Sequence, residues 1–364
     1  GTIRDNATND ATLTLPSPGA TNSLGANKSL VIGGSSQEAY IKAEENDSSD
    51  NFSYSVSLIR NTLAVGAPGE DSNQTTITTS ASSNNSNSAS GAVYVYEKTG
   101  TSWAMQAFIK AANNDASDKF GSSVAINGET IAAGAPEEDS NQTTITNGTS
   151  ASSNDSSAAS GAVYVYKRTG TSWNQEAYIK SDNMTAGDNF GHVLAIYGDT
   201  LAVGAIGEDS NQTSITNGTS ASSNNSNTDS GAVFIYKRSG ATWAQEAYIK
   251  AVNNGASDNF GYSLSLNGET LAVGVYKEDS NQASITNGTS ASSDNSNADS
   301  GAVYIYKRSG TSWSQEAYIK AANNRASDNF GYSVSLHADS LAVGAPGEDS
   351  NQTSITNGTS ASDD

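Results

Sequence analysis

The sequence predicts an all-β protein, a β-propeller of about five four-stranded blades. Three observations predict it. Landmarks return at a fixed step: Gly91, Gly161, Gly231 and Gly301 each open a Gly-Ala-Val run, and Trp103, Trp173, Trp243 and Trp313 follow each of them at the same spacing. Within each step the chain carries four short strand-like runs parted by turn residues. The two ends of the repeating part hold complementary halves of one step. Self-similarity at a fixed period decides architecture before any single residue does.

Residues 1–27 carry no repeat landmark and form an N-terminal arm. Its one strand-like run, Ala11 to Leu15, is closed by Pro16 and Pro18, which cannot donate ladder hydrogen bonds. The arm reads either as a linker or as a strand that pairs with a neighbouring molecule. Residues 28–364 make the propeller. In it, Ser29 to Ile32 stands where a third strand belongs, and Gln37 to Lys42 repeats Gln315 to Lys320. Four strand signals then recur, as in the last copy: Gly301 to Tyr306 is β-branched and aromatic, Glu316 to Lys320 and Gly331 to Leu336 alternate, and Ser340 to Ala345 is a short apolar run. Asn127-Gly128 and Asn267-Gly268 suit two-residue hairpin turns with positive φ. Phe330 to Ala345 supplies two inner strands, and Asp364 comes before another Gly-Ala-Val run begins. Joining that half to the N-terminal half closes a ring of five blades and removes the lone edge. An open array joined between molecules satisfies the same strands.

The pairs Phe52-Ser53, Phe120-Gly121, Phe190-Gly191, Phe260-Gly261 and Phe330-Gly331 are each followed by a Gly-Ala-Pro-type run, at Gly66, Gly134, Gly204, Gly274 and Gly344. In these residues the chain resembles the FG-GAP repeats of integrin α-chain propellers and of secreted microbial repeat proteins, over roughly residues 28 to 349. Ser53 replaces the first Gly, while Gly204-Ala205-Ile206 and Gly274-Val275-Tyr276 lack the Pro. The resemblance implies a propeller at the cell surface or outside the cell. The Phe residues are expected to pin the blade cores, and the Trp residues to anchor blade packing rather than to serve as sugar platforms.

The bulk composition excludes several classes. With 38 acidic against 18 basic residues, a formal charge of -20 and nothing like a basic patch, nucleic acid and anionic membranes are poor partners. Cysteine is absent, which removes disulfides and thiolate chemistry. No apolar run approaches spanning length and no signal peptide is visible, so the chain reads as a mature exported form. His192 and His337 stand at non-equivalent places in the repeat and read as drift. With no nucleophile elbow or phosphate loop, the chain reads as no enzyme.

Long polar segments follow the Gly-Ala-Pro runs, as from Asp209 to Ser230, and their composition alone would leave them disordered. Sugar, a cation, an extra hairpin or packing on another copy is expected to order them. Glycosylation candidates are the sequons at Asn73, Asn141, Asn147, Asn211, Asn217, Asn287, Asn351 and Asn357. Asp71, Asp139, Asp209, Asp279 and Asp349 recur in register and are candidate calcium ligands, since oxygen-rich loops bind calcium. The competing reading has such Asp residues capping turns through the backbone. Calcium-binding integrin repeats carry a DxDxDG-like loop before the Gly-Ala-Pro strand, and here that place holds Asn127-Gly128-Glu129-Thr130 and its copies, so calcium is the one candidate cofactor without its family motif.

Two functions remain. The first is a non-enzymatic extracellular structural protein, a subunit of a surface layer or filament that assembles with itself through the arm and the polar loops. The alternative is an adhesin or glycan-binding module that uses one rim of the ring, with glycans or cell-surface proteins as partners.

Overall fold

The computed structural model describes residues 38–45, 47–352 and 355–358. The chain divides into two units, 1–41 and 42–364. The arm and the expected strand at Ser29 to Ile32 lie outside the described residues, and Glu38 to Ile41 carries no strand.

The second unit is an array of antiparallel sheets, one per repeat. The first runs Ser55–Ile59, Thr62–Ala67, Ala92–Thr99 and Ser102–Ile109, each strand paired with the next in sequence. The second runs Ser123–Asn127, Thr130–Ala135, Ala162–Thr169 and Ser172–Ile179. The third (Phe190–Tyr197, Thr200–Ala205, Ala232–Ser239, Thr242–Ile249) and fourth (Ser263–Asn267, Thr270–Val275, Ala302–Ser309, Ser312–Ile319) repeat the order. The innermost strand of each sheet lies beside that of the next, the arrangement of propeller blades.

Two expectations are corrected. The second, third and fourth blades have five strands, because the polar loop returns a short strand, at Thr146–Asn147, Thr216–Asn217 and Ile285–Asn287, onto the outer strand. An outer strand otherwise presents unpaired backbone groups, and the loop takes some of them. Nor do the described strands close a ring: among the described residues the fifth sheet holds only Ser333–His337 and Ser340–Gly344, and Lys42 and Ala43 form no ladder with it.

The apolar core sits between blades rather than inside them. Strand alternation sends Leu201, Val203 and Ala205 into a cluster shared with Val163, Val165 and Ile179 of the preceding blade, and Ala202 into one shared with Leu271, Val273 and Tyr304 of the following blade. A single blade therefore buries neither face alone. Phe120, Phe190 and Phe260 enter these clusters edge-on to Tyr164, Phe234 and Tyr304, with ring centroids 5.2, 5.4 and 5.5 Å apart.

The Gly of each Gly-Ala-Pro run marks the closest approach of two blades. A Cβ on Gly66, Gly134, Gly204 or Gly274 would collide with the carbonyl oxygen of Gly121, Gly191, Gly261 or Gly331 in the next blade. The repeated Phe-Gly and Gly-Ala-Pro signatures are thus two sides of one contact.

Phe190 is wholly buried and Phe330, on the unfinished fifth sheet, is half-buried. Phe190→Ala is expected to cost about 3–5 kcal/mol, the range for buried aromatics, and Phe330→Ala distinctly less. Chemical denaturation of both variants checks the ranking, and equal losses would count against it.

Candidate functional site

Each of the four complete polar loops is tied down at its base by a buried ion pair. The outer strand ends in a Lys, and the turn after the Gly-Ala-Pro run carries a Glu. These meet as Lys110–Glu70 at 2.5 Å, Lys180–Glu138 at 2.7 Å, Lys250–Glu208 at 2.6 Å and Lys320–Glu278 at 2.7 Å, with every one of the four lysine side chains fully covered. Burial pulls each lysine pKa down and the facing carboxylate pulls it back up. The remaining valences are filled. Lys180 Nζ also donates to Ser160 Oγ at 2.8 Å, and Glu138 accepts from Tyr178 Oη at 2.7 Å and from the Asn113 carboxamide at 2.9 Å. Asn113 belongs to the preceding repeat, so this polar knot also joins blades.

The candidate calcium ligands lie in the same turns, engaged with backbone. Asp71, Asp139 and Asp209 accept from the N–H of Ala89, Ala159 and Asp229 at 2.7 Å, and Asp279 from that of Asp299 at 2.8 Å. Those N–H groups belong to residues held at φ of 50° to 53°, a conformation non-Gly residues rarely adopt, so the carboxylates hold a strained turn in place. Asp349, beyond the fifth sheet, is exposed and makes no such bond with another described residue. Among the described residues no three His, Cys, Asp or Glu side chains are grouped to hold a metal.

The sequons divide into two kinds. Asn73, Asn141, Asn211, Asn351 and Asn357 are exposed on the loops, and Asn287 is exposed at the end of the short strand Ile285–Asn287. Asn147 and Asn217 are clamps: each carboxamide accepts from the backbone N–H of Trp243 or Trp313 at 2.7 Å and donates to the same residue's carbonyl, spanning to the next blade. A glycan on either would break its clamp. Trp173, Trp243 and Trp313 also donate their ring N–H to Gln106, Glu176 and Glu246 of the preceding outer strand, at 2.8 to 3.0 Å. Gln106, Glu176 and Glu246 are the extra residues of β-bulges, which turn their side chains toward the neighbouring blade. The Trp residues are inter-blade anchors.

The site sequence reasoning missed lies where the inner strands converge. The residue after each Phe-Gly pair, or after Phe52-Ser53, is Tyr in three copies, Ser in one and His in one: Tyr54, Ser122, His192, Tyr262 and Tyr332. Tyr54, Ser122, His192 and Tyr262, contributed by four blades, line one cavity of about 450 Å³. Tyr262 contacts His192, Tyr276 and Tyr332 with centroids 5.5, 4.2 and 5.1 Å apart. Polar groups stand at the wall: Lys119 paired with Glu137 at 2.5 Å, and Asn189. Burial lowers the pKa of His192, so the ring faces the cavity neutral. His192 thus lines a cavity, whereas His337 is exposed at the end of its strand. The arrangement offers flat aromatic faces with a few hydrogen-bonding groups, the composition of small-ligand sites.

The family model for the FG-GAP repeat matches residues 35–96, 103–166, 173–220, 243–306 and 313–359. No curated protein matches the chain significantly.

A second set of carboxylates gives the protein a pH signature. Asp118 is pushed up to about 8, and Asp188 and Asp258 to about 7, in each case first by burial. Between the unfolded value near 4 and these folded values the native state holds more protons than the unfolded chain, so stability falls as pH rises through that window. Tm is expected to be higher at pH 5.5 than at pH 8. Asp188→Asn, which keeps the oxygen that accepts from the Thr185 N–H at 2.8 Å, should raise Tm at pH 8 and narrow the difference. Calorimetry at the two pH values checks it, and a Tm that rises with pH would contradict it.

Proposed function

The chain belongs to the FG-GAP repeat family, and from that premise we propose that it is a non-enzymatic extracellular binding module that takes neutral carbohydrate at the rim of its inner strands. The family supports a propeller module of the kind found outside cells. The observation that carries the ligand class is the cavity lined by Tyr54, His192 and Tyr262, with Tyr332 in ring contact with Tyr262. Tyr rings present an apolar face and a polar edge, which suits a sugar's C–H face and hydroxyl rim. The formal charge of -20 disfavours anionic glycans.

A second reading, a subunit of a surface layer or filament, is favoured by a different observation, the uncovered faces of the first and fifth sheets. The paired Tyr262→Ala and Tyr332→Ala substitution separates the two. Titration calorimetry against a panel of neutral oligosaccharides should find a binder, and the double variant should weaken it at least tenfold with the melting transition retained. Unchanged binding would remove the rim from the account.

A further inference from the structure

The Asn clamp between blades is made at two junctions and left out at a third. Asn147 and Asn217 each hold a Trp of the following blade by its backbone N–H and carbonyl. Trp173 has the same place on the second blade. Arg168, opposite it in the ladder, spends its N–H on the Glu129 carbonyl at 2.8 Å, so the N–H and carbonyl of Trp173 face away from their own sheet, where no other described residue bonds them. The first polar loop is two residues shorter than its copies, since the Asp bond that closes it joins residues 18 apart rather than 20. Thr78 bridges to Phe108 as Thr146 does to Tyr178, but Thr79 follows where the second loop has Asn147-Gly148.

Between that loop and Trp173 lies a cavity of about 640 Å³, within the range of small-ligand sites. Other departures from the repeat gather on its wall. Met105 replaces the Gln of the later copies, where Gln175 donates to the loop carbonyls of Gly148 and Ser150 at 3.1 and 3.2 Å, so the shortened loop strands no donor. Gln106 replaces Glu176 and Glu246; its oxygen keeps the bond to the Trp173 ring, and its amide N–H groups bond no other described residue. Glu97 replaces a Lys and takes Arg168 at 2.8 Å, as Glu176 takes Arg238 in the next junction. Shortening the loop accounts for Thr79 and Met105, but it requires neither Gln106 nor Glu97. Together these two leave a wall whose charges are matched, with free donors beside an apolar Met.

We infer that this cavity takes the primary carboxamide of a ligand, bound to Trp173 as Asn147 is bound to Trp243. A primary carboxamide presents an acceptor and a donor side by side, which fits the N–H and carbonyl of one extended residue. A carboxylate would set a second acceptor against the Trp173 carbonyl and leave both unpaired. The carboxamide belongs either to an Asn or Gln side chain of a peptide or to a small free amide, and the same two bonds serve both. The site lies on the outer strands and does not depend on the carbohydrate reading.

The test is titration calorimetry of the full chain with the hexapeptide Ile-Thr-Asn-Gly-Thr-Ser, which copies residues 145–150, with the same peptide carrying Asp in place of Asn, and with propanamide. The Asn peptide should bind at least tenfold more tightly than the Asp peptide and slow hydrogen exchange at the Trp173 amide. Propanamide that binds as tightly as the peptide assigns the site to free amides; propanamide that binds at least tenfold more weakly assigns it to a peptide side chain. Inserting Asn-Gly between Thr78 and Thr79 restores the length of the other loops and should abolish binding while raising Tm. Met105→Trp, which fills the cavity from the strand and leaves the loop alone, should abolish it too. Failure of both the Asn peptide and propanamide to bind, equal binding of the Asn and Asp peptides, or binding that persists in either variant with its melting transition retained would overturn the proposal.

Discussion

The buried ammonium–carboxylate pair at the base of each polar loop is the constraint on which the rest of the fold depends. Lys180 ends an outer strand, and Glu138 opens the loop that must travel from the second strand of its blade to the third. A segment as poor in apolar side chains as Asp139 to Ser160 gains little by burial, so its ordering entropy must be offset by polar contacts. The pair supplies the anchor. Around it Asp139 takes the N–H groups of Ser157 and Ala159, and Ser160 Oγ bridges the carbonyls of Glu138 and Ser140 at 3.2 and 3.0 Å. A buried pair of this kind is a weak source of net stability when compared with apolar residues of the same shape, but removing one partner leaves an uncompensated charge. Its value here is specificity: it fixes where the loop leaves the blade.

From that anchor the inter-blade contacts follow. The fixed loop can return a strand to the outer edge and aim Asn147 at Trp243 of the next blade. The bulge at Glu176 points at the same Trp243, and Arg238 closes the corner by pairing with Glu176 at 3.2 Å. The apolar clusters between blades supply most of the burial, and this polar rim sets the register in which the blades stack. On the fifth sheet, which has no outer strand among the described residues, both fail together: Glu348 is exposed and the strand Ser333–His337 buries none of its residues fully.

The fold was legible because the repeat copies its own alternation. Gly-Ala-Val, Phe-Gly and Gly-Ala-Pro fix strand starts and blade contacts independently of any single residue. The closing of the ring was not legible, because the same sequence halves serve a contact within a molecule or between two. The Lys–Glu pair was hidden by distance along the chain: Lys180 and Glu138 lie 42 residues apart, and a Lys ending an alternating strand reads as a solvated tip. The acidic turns read as calcium ligands or backbone caps at Asp139 and its copies, whereas the carboxylate that anchors the loop is Glu138 beside it. At the rim the signal was present in inverted form. Tyr54, Ser122, His192 and Tyr262 put three residue types at one position two residues after an unvarying Phe, and variation there marks side chains relieved of packing duty.

The loop anchor can be tested directly by hydrogen exchange on Lys180→Met, read at the backbone amides of the loop from Asn141 to Gly161 and at the strand Thr130–Ala135 as an internal control. Leaving Glu138 buried without its partner is expected to cost about 3–5 kcal/mol. The account predicts that the Ala159 and Gly161 amides, bonded to Asp139 and Glu138, lose their protection well before the strand does. Protection of the loop that persists unchanged while the strand stays folded would show that something other than the buried pair orders it.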